Sequence, residues 1–194
     1  MNYKNRKIEA TELKGEQIRE GKFFGCRFAG TILKFSSFTK CVFENCDFTG
    51  VILEGTSFEE CHYQGSKLSN LDFAPAVFIK ADFRESVIEN SVFQHMKAGS
   101  KDEVVRYDLR ECLFSRANLQ NTIFTKCDLT GVDFAEAKLS GAIFDRCKLT
   151  KARFLGADIL GTNFEGSIID HTELDYQGFV QYGNSRGFVI GTPE

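Results

Sequence analysis

The residues that could perform chemistry in this chain are three histidines and seven cysteines. His62, His95 and His171 lie far apart, and none has a cysteine or a carboxylate at the spacing of a metal site. His62 follows Cys61, but neighbouring residues of an extended chain point to opposite faces. Serine and aspartate are frequent without forming a recognisable catalytic triad, and no phosphate-binding loop is found. The sequence therefore predicts a binding protein that is not an enzyme and uses no cofactor or metal.

The cysteines share one position in a five-residue pattern, two residues before a large apolar residue. Serine, threonine and alanine take this position elsewhere, so it selects for small side chains, and the thiols are expected to act as small buried hydrophobic groups. Twenty residues separate Cys26 from Cys46, Cys41 from Cys61, and Cys127 from Cys147. If one coil is twenty residues long, these thiols stack about one strand spacing apart. The odd total favours free thiols.

The large apolar residue of the pattern returns every fifth residue and is most often phenylalanine. One phase runs from Phe23 to Phe93, and a second phase, one residue out of step, runs from Leu109 to Leu174. A short strict period is typical of a solenoid, in which each repeat contacts only its neighbours. We expect the large residue and the small one two positions earlier to face inward. Turns should occur at the recurring glycine, asparagine and aspartate residues.

The five-residue pattern predicts one domain over residues 1–194. Its predicted segments are an irregular start at 1–20, coils at about 21–93 and 109–174, a loop at 94–108 and a tail at 175–194. The start is expected to be irregular because Arg6 and Glu16 occupy positions that are small elsewhere. The loop interrupts the pattern and should project from the surface. The tail carries aromatic and β-branched residues that can cap the open end of a β-solenoid.

Charge is unevenly distributed, although the formal net charge is only −3. Basic residues outnumber acidic ones near the N-terminus, whereas residues 156–175 contain no lysine or arginine. The acidic residues of that stretch are Asp158, Glu165, Asp170, Glu173 and Asp175. The two ends should carry opposite potentials, and ordinary solvated faces are the alternative. No apolar run approaches the about 18 residues of a membrane span, and no signal peptide is recognisable, so we expect a cytoplasmic protein without a membrane partner.

The repeats resemble those of the pentapeptide-repeat family, whose unit reads A(D/N)LXX. The clearest matches are Ala81-Asp82-Phe83, Ala117-Asn118-Leu119, Cys127-Asp128-Leu129, Ala157-Asp158-Ile159 and Thr162-Asn163-Phe164. The resemblance implies an all-β fold, a right-handed quadrilateral parallel β-helix with four units per coil. Leucine and phenylalanine alternate after the break, and this alternation requires an even number of sides without fixing it at four.

The segment from Gly15 to Phe28 and the tail near Tyr176 resemble the Qnr group of that family. That resemblance implies a homodimer that mimics DNA, binds the type II topoisomerase DNA gyrase and shields it from quinolones or toxins, without binding nucleic acid itself. The partner-binding residues would be the five acidic residues above together with Met96, Lys97, Lys101, Asp102, Glu103 and Arg106. The dimer contact would be Tyr176, Phe179, Val180, Tyr182, Phe188, Val189 and Ile190. The alternative is a generic protein-interaction scaffold of the same family with another partner.

Overall fold

Parallel strands build a β-solenoid in the computed structural model, which describes residues 1–95 and 105–191. The strands are β1 (Asn2–Lys4), β2 (Gln17–Arg19), β3 (Lys22–Phe24), β4 (Ser37–Thr39), β5 (Val42–Glu44), β6 (Thr56–Glu59), β7 (Ala76–Ile79), β8 (Val92–Gln94), β9 (Tyr107–Asp108), β10 (Ile123–Thr125), β11 (Cys127–Asp128) and β12 (Ile143–Asp145). The helix α1 (Tyr176–Ser185) follows the last coil. The predicted all-β solenoid is thus confirmed, with one helix that the sequence pattern did not predict.

The strand register shows that the solenoid has four sides. Phe23 pairs with Phe43, and Phe38 pairs with Phe58, in both cases across twenty residues. Since the repeat unit has five residues, four units complete one coil. The sheets are β1-β3-β5, β2-β4-β6-β7, β8-β10-β12 and β9-β11. Phe124 pairs with Phe93, so the coil that contains the break has eleven additional residues.

The large inward side chains form ladders along the axis. One ladder consists of Tyr3, Phe23, Phe43, Tyr63, Phe83, Phe114, Phe134 and Phe154, stacked with centroid separations of 4.9 to 5.4 Å. Burial of each such ring contributes roughly 1.5–3 kcal/mol relative to exposure. The ladders are therefore the main source of stability.

The small residue two positions before each large one also points inward and toward the preceding coil. We call this position the inner small position. Its hydroxyl or thiol donates a hydrogen bond to a carbonyl of that coil, as from Thr122 Oγ1 to the Ile88 oxygen at 2.6 Å and from Cys46 Sγ to the Phe23 oxygen at 3.3 Å. A bulkier side chain at this position has to displace the neighbouring coil.

The aspartate or asparagine of the repeat caps the turn on the outer surface. Asp128 Oδ1 accepts a hydrogen bond from the Thr130 amide at 3.1 Å, and Asn163 Oδ1 accepts one from the Glu165 amide at 2.9 Å. Two residues after the large residue, the backbone adopts a positive φ, for example 56° at Asn121. Asparagine and glycine tolerate this conformation best, which explains why they recur at the corners.

The start predicted to be irregular, residues 1–20, is regular in part, because Asn2–Lys4 and Gln17–Arg19 pair in register with the next coil. This first coil has turns at residues 10–15. Its buried large residues are Ile8, Leu13 and Ile18. Arg6 occupies an inner small position of this coil, and its long side chain is exposed. The Arg6 guanidinium lies over the Tyr3 ring at 4.8 Å and pairs with Glu12 at 2.7 Å. These contacts cover the N-terminal end of the solenoid.

The interruption of the solenoid is shorter than the predicted loop at 94–108. Gln94 is the last residue of β8, and Tyr107 and Asp108 form β9, which pairs with β11. The second set of coils therefore begins two residues before Leu109. Residues 96–104 of the predicted loop lie outside the described residues.

Replacing Ala157 by leucine should lower the melting temperature. Ala157 occupies an inner small position and is only 4% exposed, so the added volume overpacks the space between two coils at a cost of about 1–3 kcal/mol. Calorimetric unfolding of the Ala157→Leu variant measures the effect. The matched control is Ala29→Leu, because Ala29 lies on the outer surface. Equal melting temperatures for all three proteins would contradict the inward orientation of Ala157.

Candidate interaction surfaces

The helix α1 is tied to the last coils by the side chain that caps it. Asp175 Oδ1 accepts a hydrogen bond from the Gly178 amide at 2.8 Å, and Asp175 Oδ2 accepts one from the Gly156 amide at 2.6 Å. These two bonds hold the pKa of Asp175 below its usual range. One carboxylate therefore both starts the helix and fixes its position on the solenoid.

The inner face of α1 closes the C-terminal end of the solenoid. The Tyr182 ring lies 6.0 Å from the Phe164 ring, measured between centroids. Gln181 Oε1 accepts a hydrogen bond from the Ile159 amide at 2.8 Å. The helix thus covers the end of an aromatic ladder and supplies an acceptor to an edge of the last coil, which is how an open β-solenoid avoids edge pairing.

The outer face of α1 and the residues after it expose apolar side chains. Tyr176 is 80% exposed and Phe179 is 61% exposed. Phe188, Val189 and Ile190 are exposed as well. Of the residues predicted to form a dimer contact, these five lie on the surface. Val180 is half-buried, and Tyr182 belongs to the cap described above. A group of exposed apolar residues of this size is typical of an interaction site.

The five acidic residues surround the C-terminal end and do not form one stripe. Successive units of a four-sided coil face successive sides, so Asp158, Glu165, Asp170 and Glu173 point in different directions. Glu173 accepts a hydrogen bond from Arg153 Nε at 3.1 Å, and Asp158 accepts one from Ser140 Oγ at 2.5 Å. Asp170 contacts His171 at 2.7 Å. Glu165 is exposed.

The predicted partner-binding residues near the break are only partly described. Met96, Lys97, Lys101, Asp102 and Glu103 lie outside the described residues. Arg106 is described, and its guanidinium donates a hydrogen bond to the Arg146 carbonyl oxygen at 2.5 Å. It stands beside the solenoid coils that follow the break.

Asp82 anchors a polar cluster on another part of the surface. Arg84 donates two hydrogen bonds to its carboxylate, at 2.9 and 2.6 Å, and His62 Nδ1 lies 3.1 Å from Asp82 Oδ2. Burial opposes ionisation of Asp82, but the bonds from Arg84 outweigh it and hold the pKa of Asp82 below its usual range. The cluster joins two coils on the outer surface. Across the described residues, no group of three or more His, Cys, Asp or Glu side chains could hold a metal ion.

All seven cysteines are buried free thiols, as predicted from their position in the repeat. Burial raises the pKa of Cys46 and of Cys112 to about 12. A thiol that is protonated and buried is a poor nucleophile and a poor metal ligand. Cys46 and Cys112 therefore have a packing role.

A cleft of about 990 Å³ lies between β7 and β9. The residue that shapes it, Tyr107, was not singled out by the sequence analysis. Tyr107 stands two residues before Leu109, in an inner small position, and its side chain is buried. Its hydroxyl donates to the Ala76 carbonyl oxygen at 2.7 Å and lies 3.2 Å from the Phe73 carbonyl oxygen. The sequence could have revealed Tyr107, because it is a tyrosine at a position that is otherwise small.

Comparisons with known proteins agree with this architecture. Residues 106–174 match the family model described as pentapeptide repeat region, and residues 3–93 match the model described as SV2A/B/C luminal domain. A trypsin-treated variant of QnrB1, a plasmid-mediated fluoroquinolone resistance protein, has a similar structure, with a TM-score of 0.68 and 20% identity over 98% of this chain and 99% of that chain. A second trypsin-treated QnrB1 variant gives a TM-score of 0.55 at 20% identity, over 98% and 97% of the two chains.

A third similar structure is that of HetL from Nostoc sp. strain PCC 7120, involved in heterocyst differentiation regulation. It has a TM-score of 0.48 at 17% identity, over 89% of this chain and 84% of that chain. No curated protein matches the sequence significantly. In residues 1–95 and 105–191, no helix has the length and apolar character needed to cross a membrane.

Two buried tyrosines should respond in opposite ways to removal of the hydroxyl. The Tyr63 hydroxyl has no hydrogen-bond partner among the described residues, and an unsatisfied buried polar group costs about 1–3 kcal/mol. Tyr63→Phe should therefore raise the free energy of unfolding by about 1 kcal/mol. Tyr107→Phe should lower it, because the Ala76 carbonyl loses its donor. Denaturant unfolding of both variants measures the difference, and a stabilised Tyr107→Phe variant would contradict the hydrogen bonding of Tyr107.

Proposed function

We propose that this chain is a binding protein that engages DNA gyrase. Its fold is a four-sided β-solenoid, and residues 106–174 match the family model described as pentapeptide repeat region. The likeness to QnrB1 over nearly the whole of both chains is the observation that supports this proposal. Aromatic ladders fill the interior, so the chain acts through its outer walls and ends. Its partner is a type II topoisomerase, and its effect is to protect that enzyme from quinolones or toxins.

The proposed active form is a homodimer joined through the C-terminal end. The cap leaves Tyr176, Phe179 and Val189 exposed, and association would remove them from water. In that arrangement, the five acidic residues at the C-terminal end of each copy lie near the centre of an elongated dimer. Negative charge around a rod of this kind offers a topoisomerase a surface that resembles duplex DNA. The protein itself does not bind nucleic acid in this scheme, and it works in the cytoplasm.

The second candidate is a protein-interaction scaffold with a different partner. The distribution of charge favours it, because the acidic residues lie on different sides and the first coils carry an excess of basic residues. A partner of this kind would bind one side or the N-terminal end. Binding of gyrase to the C-terminal half distinguishes the first candidate from the second.

A supercoiling assay tests the gyrase proposal. The protein should restore supercoiling by gyrase in the presence of a quinolone. Glu165→Gln and Asp170→Asn together should require about fivefold more protein, because they remove charge that attracts the DNA-binding surface. The control is Glu20→Gln, a charge change of the same sign at the opposite end of the solenoid. If the unmodified protein neither binds gyrase nor restores supercoiling, this proposal is wrong.

Light scattering tests the proposed dimer. The unmodified protein should have about twice the chain mass of 21.9 kDa. The double variant Phe179→Asp, Val189→Asp should have the mass of a single chain, because charges placed in an apolar contact cannot be solvated. Both residues are exposed, so the fold should persist. Phe35→Asp, at an exposed residue far from the tail, is the control and should stay dimeric. A dimer that survives in the tail variant places the interface elsewhere.

A further inference from the structure

One side of the solenoid is split. The sheet β2-β4-β6-β7 ends at β7, and the sheet β9-β11 begins at β9, although both belong to the same side. Directly after the split the coils are joined again, since the Leu113 amide donates to the Ala81 carbonyl oxygen at 3.0 Å. Among the described residues, no backbone pairing joins β7 to β9. The split is therefore a local gap in an otherwise continuous ladder.

Tyr107 holds the split open. In a regular coil the inner small position donates to a carbonyl of the preceding coil through a short side chain, as Thr122 does. Tyr107 reaches the equivalent Phe73 carbonyl, and the Ala76 carbonyl, with a phenol. A phenol extends well beyond the about 4.8 Å that separates paired strands. It therefore prevents β9 from approaching β7.

The gap leaves a strand edge beside an apolar surface. The amides of Phe78 and Lys80, which would face β9 in a regular coil, have no acceptor among the described residues. Val77 is 52% exposed and Ile79 is 46% exposed on the outer surface of the same strand. An unpaired edge next to apolar side chains can accept an added strand.

Arg106 lines the cleft and is the first residue of a column of like charges that runs away from it. Arg106, Lys126 and Arg146 follow one another at twenty-residue steps, and the strands beside them are in register. Like charges stacked on neighbouring strands are destabilising. Arg146 lies 3.5 Å from Asp145, while Arg106 and Lys126 form no ion pair with any described residue. A ligand with acidic groups would neutralise this column.

We propose that the cleft binds an extended segment of a partner protein, which adds as a strand to β7. Its backbone would pair with the amides of Phe78 and Lys80, and its β-branched side chains would pack beside Val77 and Ile79. Acidic residues before that strand would lie on the column that begins at Arg106. This site lies on the split side, apart from the C-terminal end, and does not depend on the gyrase proposal.

Peptide binding tests the site directly. The probe is a fluorescein-labelled peptide Asp-Glu-Val-Thr-Val-Thr with blocked ends, titrated with the full-length protein and followed by anisotropy. The Tyr107→Thr variant carries a residue that other inner small positions already use, so β9 can approach β7 and close the cleft. Peptide binding should then weaken at least about tenfold. Thr56→Ser, at another inner small position, should leave binding unchanged. Equal affinity of the Tyr107→Thr variant and the unmodified protein overturns the proposal.

Charge and backbone pairing are tested separately. Arg106→Gln should weaken binding of the acidic peptide about fivefold and leave a peptide with Ser-Asn in place of Asp-Glu unaffected. A peptide N-methylated on alternate residues should not bind, because it cannot complete the strand pairing. Hydrogen exchange at the Phe78 amide, fast in the free protein, should slow at least about tenfold with the unmodified peptide. Unchanged exchange at saturating peptide overturns the proposal even if Tyr107→Thr fails to fold.

The last comparison identifies the occupant. Residues 97–103 are replaced by a glycine-serine linker of equal length, and the peptide titration is repeated. Equal affinity before and after the replacement supports a partner segment as the ligand. Binding that occurs only after the replacement shows that the chain's own segment competes for the cleft, and it overturns the proposal.

Discussion

The close approach of each inner small position to the preceding coil is the constraint on which the rest of the structure depends. It requires a side chain short enough for two coils to lie one strand spacing apart, and a polar side chain there also satisfies a buried carbonyl of the preceding coil. Serine, threonine and cysteine meet both conditions, as at Ser66, Thr122 and Cys46. Alanine meets only the first. With the coils at this spacing, the large residues stack into ladders that fill the interior.

The same constraint explains where the solenoid departs from regularity. At Arg6, in the first coil, the long side chain lies over the Tyr3 ring and pairs with Glu12. At Tyr107 there is a preceding coil, and the long side chain can be accommodated only by separating β9 from β7. The inner small position can therefore form a close contact with the preceding coil, cover the end of the solenoid or open a cleft. The size of its side chain and its place in the solenoid decide which of these occurs.

The twenty-residue length of a coil rested on the family resemblance. The five-residue period itself predicted which large residues and cysteines face inward, because it determines which side chains share a face. It could not predict α1. The helix sequence contains Gly178, Gly183 and the β-branched Val180, which have low helix propensity. Its formation depends on the local Asp175 cap and on packing of Tyr182 against Phe164 in the last coil, and the second contact cannot be found from the repeat pattern. The role of Tyr107 was likewise hidden, since its effect depends on the coil before it.

Residues on the outer walls can vary because the fold constrains few of them. Inward positions and the turn-capping aspartate or asparagine are constrained, whereas the remaining positions of each unit meet solvent, where substitutions usually change stability by less than about 0.5 kcal/mol. This accounts for a fold shared with QnrB1 at only 20% identity. Partner choice must then reside in the variable outer residues and in local irregularities such as the cleft beside Tyr107. A shared interior therefore says little about the partner, and substitutions on the walls are the informative ones.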